Sequence, residues 1–200
     1  MSERFRTKAS EWDASSRRQK LAQRIYEGIR ESIPLRANMD LVDLGAGTGL
    51  LTYKILPHVH SVLAVDTSEA MLEKLREKKQ SSDLLRTSLK DISKEPLEGS
   101  FDGVISSMTL HHIEHLEQLF KHLYAAMVPG GFMALADLAS EDGSFHGVGN
   151  NEGVHHFGFD VHELSRLIGS VGFKTVTFEM VDVIEKEQHD YPVFLLRAFK

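Results

Sequence analysis

Apolar residues recur every four positions at Leu21, Ile25, Ile29 and Ile33, and Pro34 ends the run, so the pattern predicts a helix preceded by the segment Phe5 to Trp12. The period then changes. MDLVDL (39–44) and SVLAVD (61–66) are short continuous apolar runs of the kind buried on both faces of a parallel sheet, with a helical stretch between them that ends near Pro57. Residues 68–79 carry Met71, Leu72 and Leu75 against a charged opposite face of Lys74, Arg76, Lys78 and Lys79, which reads as a solvated helix face. LLRTSL (84–89) and FDGVISSM (101–108) read as strands. Leu116, Leu119, Phe120, Leu123 and Met127 mark a helix closed by Pro129-Gly130-Gly131, with Glu114 and Glu117 near its positive N-terminus. FMALADL (132–138) is the next strand. Asp160 and Glu163 form a capping-box-like start for a helix through Leu164 and Ile168 to Gly172, and FKTVTFEMVDVI and YPVFLLRAF follow as adjacent strands with Pro192 at a strand start.

Strands alternating with helices and ending in a strand pair predict an α/β fold, a doubly wound, mostly parallel sheet covered by helices on both faces. Residues 1–36 form an N-terminal helical extension of it. Residues 140–159 break the rhythm with Gly143, Gly147, Gly149, Gly153 and Gly158 among Phe and His, and read as a loop or lid. Two hundred residues with 42% apolar and 26% charged content suit one domain over 1–200. No run approaches the roughly 18 to 20 apolar residues of a membrane span, and the polar start MSERFRTKASEWD has no signal-peptide core, so the expectation is a cytoplasmic protein.

Zero cysteines exclude disulfides, thiolate metal sites and catalysis through a covalent cysteine adduct, and they disfavour substrates that need paired thiols. A net charge of -6 argues against a broad basic surface for phosphate backbones and favours a small-molecule partner over nucleic acid.

The chemistry concentrates where strands end, because open α/β sheets bind ligands beyond the C-terminal ends of their strands. LVDLGAGTGLLT (41–52) runs from a buried strand through Asp43 into a turn with Gly45, Gly47 and Gly49, whose exposed amides and small profile suit a nucleotide-like ligand. A dinucleotide turn reads G-x-G-x-x-G, but Leu50 stands where its third glycine belongs. Asp66, 21 positions after Gly45, is placed to accept from both hydroxyls of a ribose, and helix capping is its other reading. Asp91 is placed to accept from an adenine amino group while Ile92 packs on the ring. The segment from Ser106 to Ile113 can line a reactive centre.

LVDLGAGTGLLT, VLAVDTSEAML, KDI, FDGVISSMTLHHI and MVPGGF, in that order and spacing, resemble the successive cofactor motifs of class I S-adenosylmethionine-dependent methyltransferases. The resemblance is greatest to the group that includes ubiquinone and menaquinone biosynthesis enzymes and many small-molecule methyltransferases. It implies a Rossmann-like seven-stranded sheet with a reversed last strand and S-adenosyl-L-methionine as cofactor. It further implies that Gly45, Ala46 and Gly47 touch the methionine moiety, with Asp43 organising the turn or the cofactor's amino group. Asp66 would bind the ribose, Thr67 and Met71 would surround the adenosine, Asp91 and Ile92 would hold the adenine, and Ser107 or Met108 would form the far wall. The F-x-x-x-A-x-x-W-D pattern from Phe5 to Asp13 resembles the family's cofactor-covering segment, so Trp12 either shields the site or anchors the first helix. Two rivals remain, a noncatalytic cofactor-binding regulator and, opposed by Leu50, an NAD(P)-dependent oxidoreductase.

Methyl transfer needs alignment and exclusion of water, with a base only for a protonated acceptor, which directs attention to the eleven histidines. His111 and His112 are the catalytic candidates, with His155-His156 a second pair in the glycine-rich stretch; helix capping and a surface loop are the plain alternatives. His111 and His115 lie four apart, but the helix is expected to begin near Glu114 and no third ligand is evident, so no metal is expected. Asp137 could support a magnesium-dependent reaction, but no second carboxylate is at hand. SSMT after the fourth strand lacks the prolines of exocyclic base-amine methyltransferases. Phe145, Phe157 and Phe159 make the 140–159 stretch partly apolar.

Overall fold

Seven strands form one sheet in the order β3-β2-β1-β4-β5-β7-β6, in a computed structural model that describes residues 9–147 and 149–200. The strands are β1 (Asp40–Leu44), β2 (Ser61–Asp66), β3 (Leu85–Leu89), β4 (Phe101–Ser107), β5 (Met127–Leu138), β6 (Lys174–Lys186) and β7 (His189–Phe199). The first five pair in parallel, and β7 runs antiparallel to both β5 and β6. The reversed last strand that the motif resemblance implies is therefore present. Helices α1 (Ser16–Ser32), α2 (Thr52–Ile55), α3 (Glu69–Glu77), α4 (Leu116–Ala126) and α5 (Val161–Val171) cover the two faces. No helix among the described residues is long and apolar enough to cross a membrane.

The period-2 alternation of each central strand decides which helix it meets. Val42, Val104, Leu135 and Leu196 face one core with Leu119, Phe120 and Leu123 of α4 and Leu164 and Ile168 of α5. Their neighbours Leu41, Ile105, Ala134 and Leu195 face the other with Ile25 and Ile29 of α1 and Ile55 of α2. This double burial is why these strands read as unbroken apolar runs. The Ser15 hydroxyl caps α1 by accepting from the Arg18 amide, and Asp160 caps α5 by accepting from the amides of His162 and Glu163.

Three boundaries differ from the sequence pattern. Strand β5 begins at Met127, with Pro129-Gly130-Gly131 inside its span, because Gly130 donates to the Lys200 carbonyl and Lys200 donates to that of Gly131. The three residues are thus stitched to the end of β7, and the pairing of β5 with β4 shifts register there. Strand β7 starts at His189, so Pro192 lies within it, opposite Val183 and just past the last β5 pair, Leu138 with Val193. A missing N–H is tolerated where one flanking ladder has stopped. Helix α2 is only four residues, continued by a 3-10 turn over Leu56–His58 that takes Pro57 in its first turn. Phe5 lies outside the described residues.

Strand β4 approaches β5 closely at Gly103, where an added Cβ would lie 2.4 Å from the Phe132 ring, itself buried in the core. Gly103→Ala is expected to cost about 1 to 3 kcal/mol through overpacking, read by urea denaturation. A loss below about 0.5 kcal/mol would show that the ring moves freely.

Candidate cofactor and acceptor site

The strand order reverses between β1 and β4, which opens a crevice beyond their carboxyl ends. Leu44 pairs with Ser106 at that edge, and the Ser106 hydroxyl donates to the Leu44 carbonyl at 2.8 Å. The glycine turn and the segment after β4 are therefore adjacent. Gly45 (φ 66°), Gly47 (φ 56°) and Gly49 (φ 87°) all adopt left-handed conformations. A Cβ on Gly45 would fall 2.2 Å from Thr109, whose hydroxyl donates to the Gly45 carbonyl. Around Gly47 the same construction meets nothing within 4 Å, so that flank of the turn is an open cradle.

The turn's amides are not the exposed donors that the sequence suggests. Gly45 and Ala46 both donate to the Val65 carbonyl, and Gly47 donates to Oδ2 of Asp66 at 2.8 Å. Ser68 donates to the other Asp66 oxygen at 2.8 Å. These bonds tie the turn to the end of β2, and what it offers a ligand is its lack of side chains. Burial pushes the Asp66 carboxyl up against the lowering effect of its backbone donors at Gly47, Ser68 and Thr67. Asp43, 1% exposed, accepts from the Thr52 hydroxyl at 2.5 Å and so joins the strand end to α2 rather than opening toward solvent.

The remaining cofactor candidates fall into two groups. Thr67 is exposed, Ser107 and Met108 are half-buried, and Met108 holds φ 56°, an uncommon conformation for a side chain of that size. Ala46, Met108 and Phe145 pack against the same core. Met71 and Ile92, each 2% exposed, sit in the packed interior and carry little surface for a ligand. Asp91 accepts from the amide and hydroxyl of Ser93 and pairs with Lys94, which hold its carboxyl low against the raising effect of burial.

The first segment docks on this turn by a route the sequence did not reveal. Asp13, in a 3-10 turn over Ala9–Ala14, accepts from the buried Thr48 hydroxyl at 2.5 Å and from Lys78 at 2.6 Å. Lys78 is thus no mere solvated residue. Arg18 of α1 lies 3.8 Å above the Trp12 ring and donates to its carbonyl, which joins that indole to the first helix.

His111 and His112 lie in a 3-10 turn, Leu110–His112, between β4 and α4. His111 is 2% exposed, and its Nδ1 is 2.7 Å from Oδ1 of Asp137, a carboxylate at the end of β5 that is fully buried. Burial would raise the Asp137 carboxyl, but His111 beside it and donated bonds from the Leu138 and His111 amides hold it low. His146, from the 140–159 loop, completes a three-ring group with ring centroids 4.1, 5.1 and 5.4 Å apart. No sequence signal marks His146, which is 34 positions from His112. The other histidine candidates lie elsewhere. His115 is exposed at the start of α4, His155 is exposed, and His156 packs on Phe159 while bonding the Ile113 carbonyl. Of the loop phenylalanines, Phe159 is in the core, Phe145 packs on Tyr191, and Phe157 is exposed.

Asp43 generates a pH prediction. Burial, reinforced by the Asp66 charge and opposed by the Thr52 bond, pushes its carboxyl up to about 7 from an ordinary 3.8. The folded protein keeps a proton there that the unfolded chain releases, so this contribution is full below the lower value and lost as pH rises through the upper one. It should reduce unfolding free energy by up to about 4 kcal/mol across that window, and Asp43→Asn should flatten the slope in urea denaturation at graded pH. An unchanged slope in the variant would contradict the assignment.

Residues 42–135 match the family model described as methyltransferase domain. A methyltransferase of Schizosaccharomyces pombe is 27% identical over 169 residues, covering 76% of this chain and 58% of the relative. The malonyl-(acyl-carrier protein) O-methyltransferase of Bacillus cereus is 26% identical over 145 residues, covering 70% and 53% respectively. The chain thus spans little more than half the length of these relatives. A Haloferax volcanii methyltransferase solved with the Trm112 methyltransferase activator shares the fold at TM-score 0.82, 14% identity and coverage of 100% of this chain and 98% of that one. Haemonchus contortus phosphoethanolamine N-methyltransferase 2, in complex with S-adenosyl-L-methionine, does so at TM-score 0.74 and 17% identity, over 89% of this chain and 52% of that one. Family match, strand order and motif spacing agree: residues 42–135 carry a methyltransferase domain, and the chain has the class I S-adenosylmethionine-dependent methyltransferase fold.

Proposed function

We propose that this protein transfers a methyl group from S-adenosyl-L-methionine to a small-molecule acceptor that enters between residues 107–113 and the 140–159 loop. The observation that carries this reading is the left-handed turn at Gly45, Gly47 and Gly49, open beside Gly47 and fastened to Asp66 where the strand order reverses. A cradle with no side chain, next to a carboxylate at the neighbouring strand end, fits an adenosyl amino acid. The bound cofactor supplies an electrophilic methyl on a positive sulfur. The chain's own task is to bind, align and dry the reactants.

In this assignment Asp66 accepts from the ribose hydroxyls, sharing its oxygens with the Gly47 and Ser68 amides. Gly45, Ala46 and Gly47 flank the methionine moiety, and Asp43 keeps the turn in shape through Thr52. Thr67 and Asp91 border the adenosine, with Met71 and Ile92 as packed support beneath it, and Ser107 and Met108 close the far wall. The segment before α1, held by Asp13, Thr48 and Lys78, covers the turn. His111, fixed by Asp137, and His112 border the acceptor and remove its proton where it has one.

A net charge of -6 and the proline-free SSMT stretch support a small acceptor over nucleic acid. Similar proteins include a malonyl-(acyl-carrier protein) O-methyltransferase and a phosphoethanolamine N-methyltransferase, so the shared fold accommodates unlike acceptors.

Calorimetry with S-adenosyl-L-methionine and with NADH tests the reading, and binding of NADH alone would overturn it. Release of S-adenosylhomocysteine across a small-molecule acceptor library separates an enzyme from a noncatalytic regulator, for which no acceptor would yield product. Asp66→Ala is expected to weaken cofactor binding by about 1.5 to 3 kcal/mol through lost charge-assisted hydrogen bonds. An unchanged dissociation constant would remove Asp66 from the ribose.

A further inference from the structure

We propose that His111, His112 and His146 form a binding site for a divalent transition-metal ion, with a coordination position left for an oxygen of the acceptor. The three side chains each offer a ring nitrogen within 4.8 Å of the others. They come from two separate segments, the 3-10 turn after β4 and the 140–159 loop, so only the folded chain assembles them.

Hydrogen bonds fix which nitrogen two of the rings present. A carboxylate can only accept, so the 2.7 Å contact between His111 Nδ1 and Asp137 places the proton on Nδ1. A carbonyl likewise only accepts, and the 2.7 Å contact of His112 Nδ1 with the Gly153 carbonyl places that proton on Nδ1 as well. Nε2 is then the nitrogen by which each ring would ligate. Carboxylate or carbonyl behind Nδ1 is the arrangement that orients metal-bound imidazoles and raises their basicity.

Ligand nitrogens about 2.1 Å from a tetrahedral ion stand about 3.4 Å apart, so ring nitrogens within 4.8 Å of one another must draw together by up to about 1.4 Å. His146 is only half-buried, and a turn of its ring would close this gap while Asp137 and the Gly153 carbonyl hold His111 and His112. Three imidazoles without a carboxylate among them favour zinc, cobalt, nickel or ferrous iron over magnesium or calcium. Three protein ligands rather than four mark a site with an open position.

The site deepens the methyltransferase reading and rests on it for its role, though not for the binding of the ion. With the ion bound, His111 and His112 serve as ligands instead of bases, and an acceptor hydroxyl, enol or phenol placed on the ion loses its proton to water more easily, which assigns the acceptor to the oxygen class. The pair His111 and His115, four apart in sequence, is not the metal pair; the fold brings His146 to His111 and His112 instead.

Titration of cobalt(II) into the metal-stripped full chain tests the proposal. The expected result is one saturating equivalent with a visible absorption band, displaced by zinc. His146→Ala and His112→Gln should each weaken binding at least tenfold with unchanged far-ultraviolet circular dichroism, while His155→Ala should bind as the unaltered protein does. Absence of a saturating band, or equal affinity in all three variants, would overturn the site. Calorimetry with S-adenosyl-L-methionine on the same samples keeps the two readings apart. Loss of cofactor binding in the unaltered protein defeats the methyltransferase assignment, and the acceptor role with it, while the cobalt band reports on the ion alone.

Discussion

One carboxylate at the end of β2 sets the geometry of the rim. Asp66 holds the Gly47 amide on one oxygen and the Ser68 amide on the other, so it fixes both the turn after β1 and the start of α3. Gly45 and Ala46 reinforce this by sharing the Val65 carbonyl. The left-handed glycines then have one conformation to occupy, with Thr109 packed where any side chain on Gly45 would go. The open flank beside Gly47 exists because the surrounding bonds leave the chain no slack to collapse into it.

Among the described residues the fully buried carboxylates, Asp43 and Asp137, lie at this rim, with the half-buried Asp66 beside them. Asp43 ends β1, Asp66 ends β2 and Asp137 ends β5, each with its own donors, while the strand positions beneath them are apolar. A buried acid without partners would cost several kcal/mol, so each is tolerable only with the bonds it makes. The two acids nearest in kind diverge. Asp137, beside His111, is held low, whereas Asp43 has one hydroxyl donor and a second acid nearby and is pushed up to about 7. The sheet thus carries differently charged strand ends on one scaffold.

Much of this was legible in the sequence because burial on both faces writes itself as unbroken apolar runs, as at Leu41–Leu44 and Val62–Val65. The cap at Asp160 and the missing glycine at position 50 were equally local signals. What escaped was non-local. Asp13 meets Thr48 and Lys78 across 35 and 65 positions, and His146 joins His111 through a loop without periodic pattern. Strand β5 was cut short at Pro129-Gly130-Gly131 because those residues ordinarily end elements, and only pairing with Lys200 keeps them in the sheet. The turn's amides pointed the other way from expectation for a similar reason, since the competing acceptor, Val65, lies on another strand.

The 140–159 loop is fastened to the turn after β4 by the amides of His155 and His156, both donating to the carbonyl of His111. That bond pair uses the backbone of residue 111 and not its ring. The chemistry presented at this position can therefore be exchanged without unfastening the loop, so a lineage of such proteins is free to change what it recognises while keeping the frame in which recognition happens.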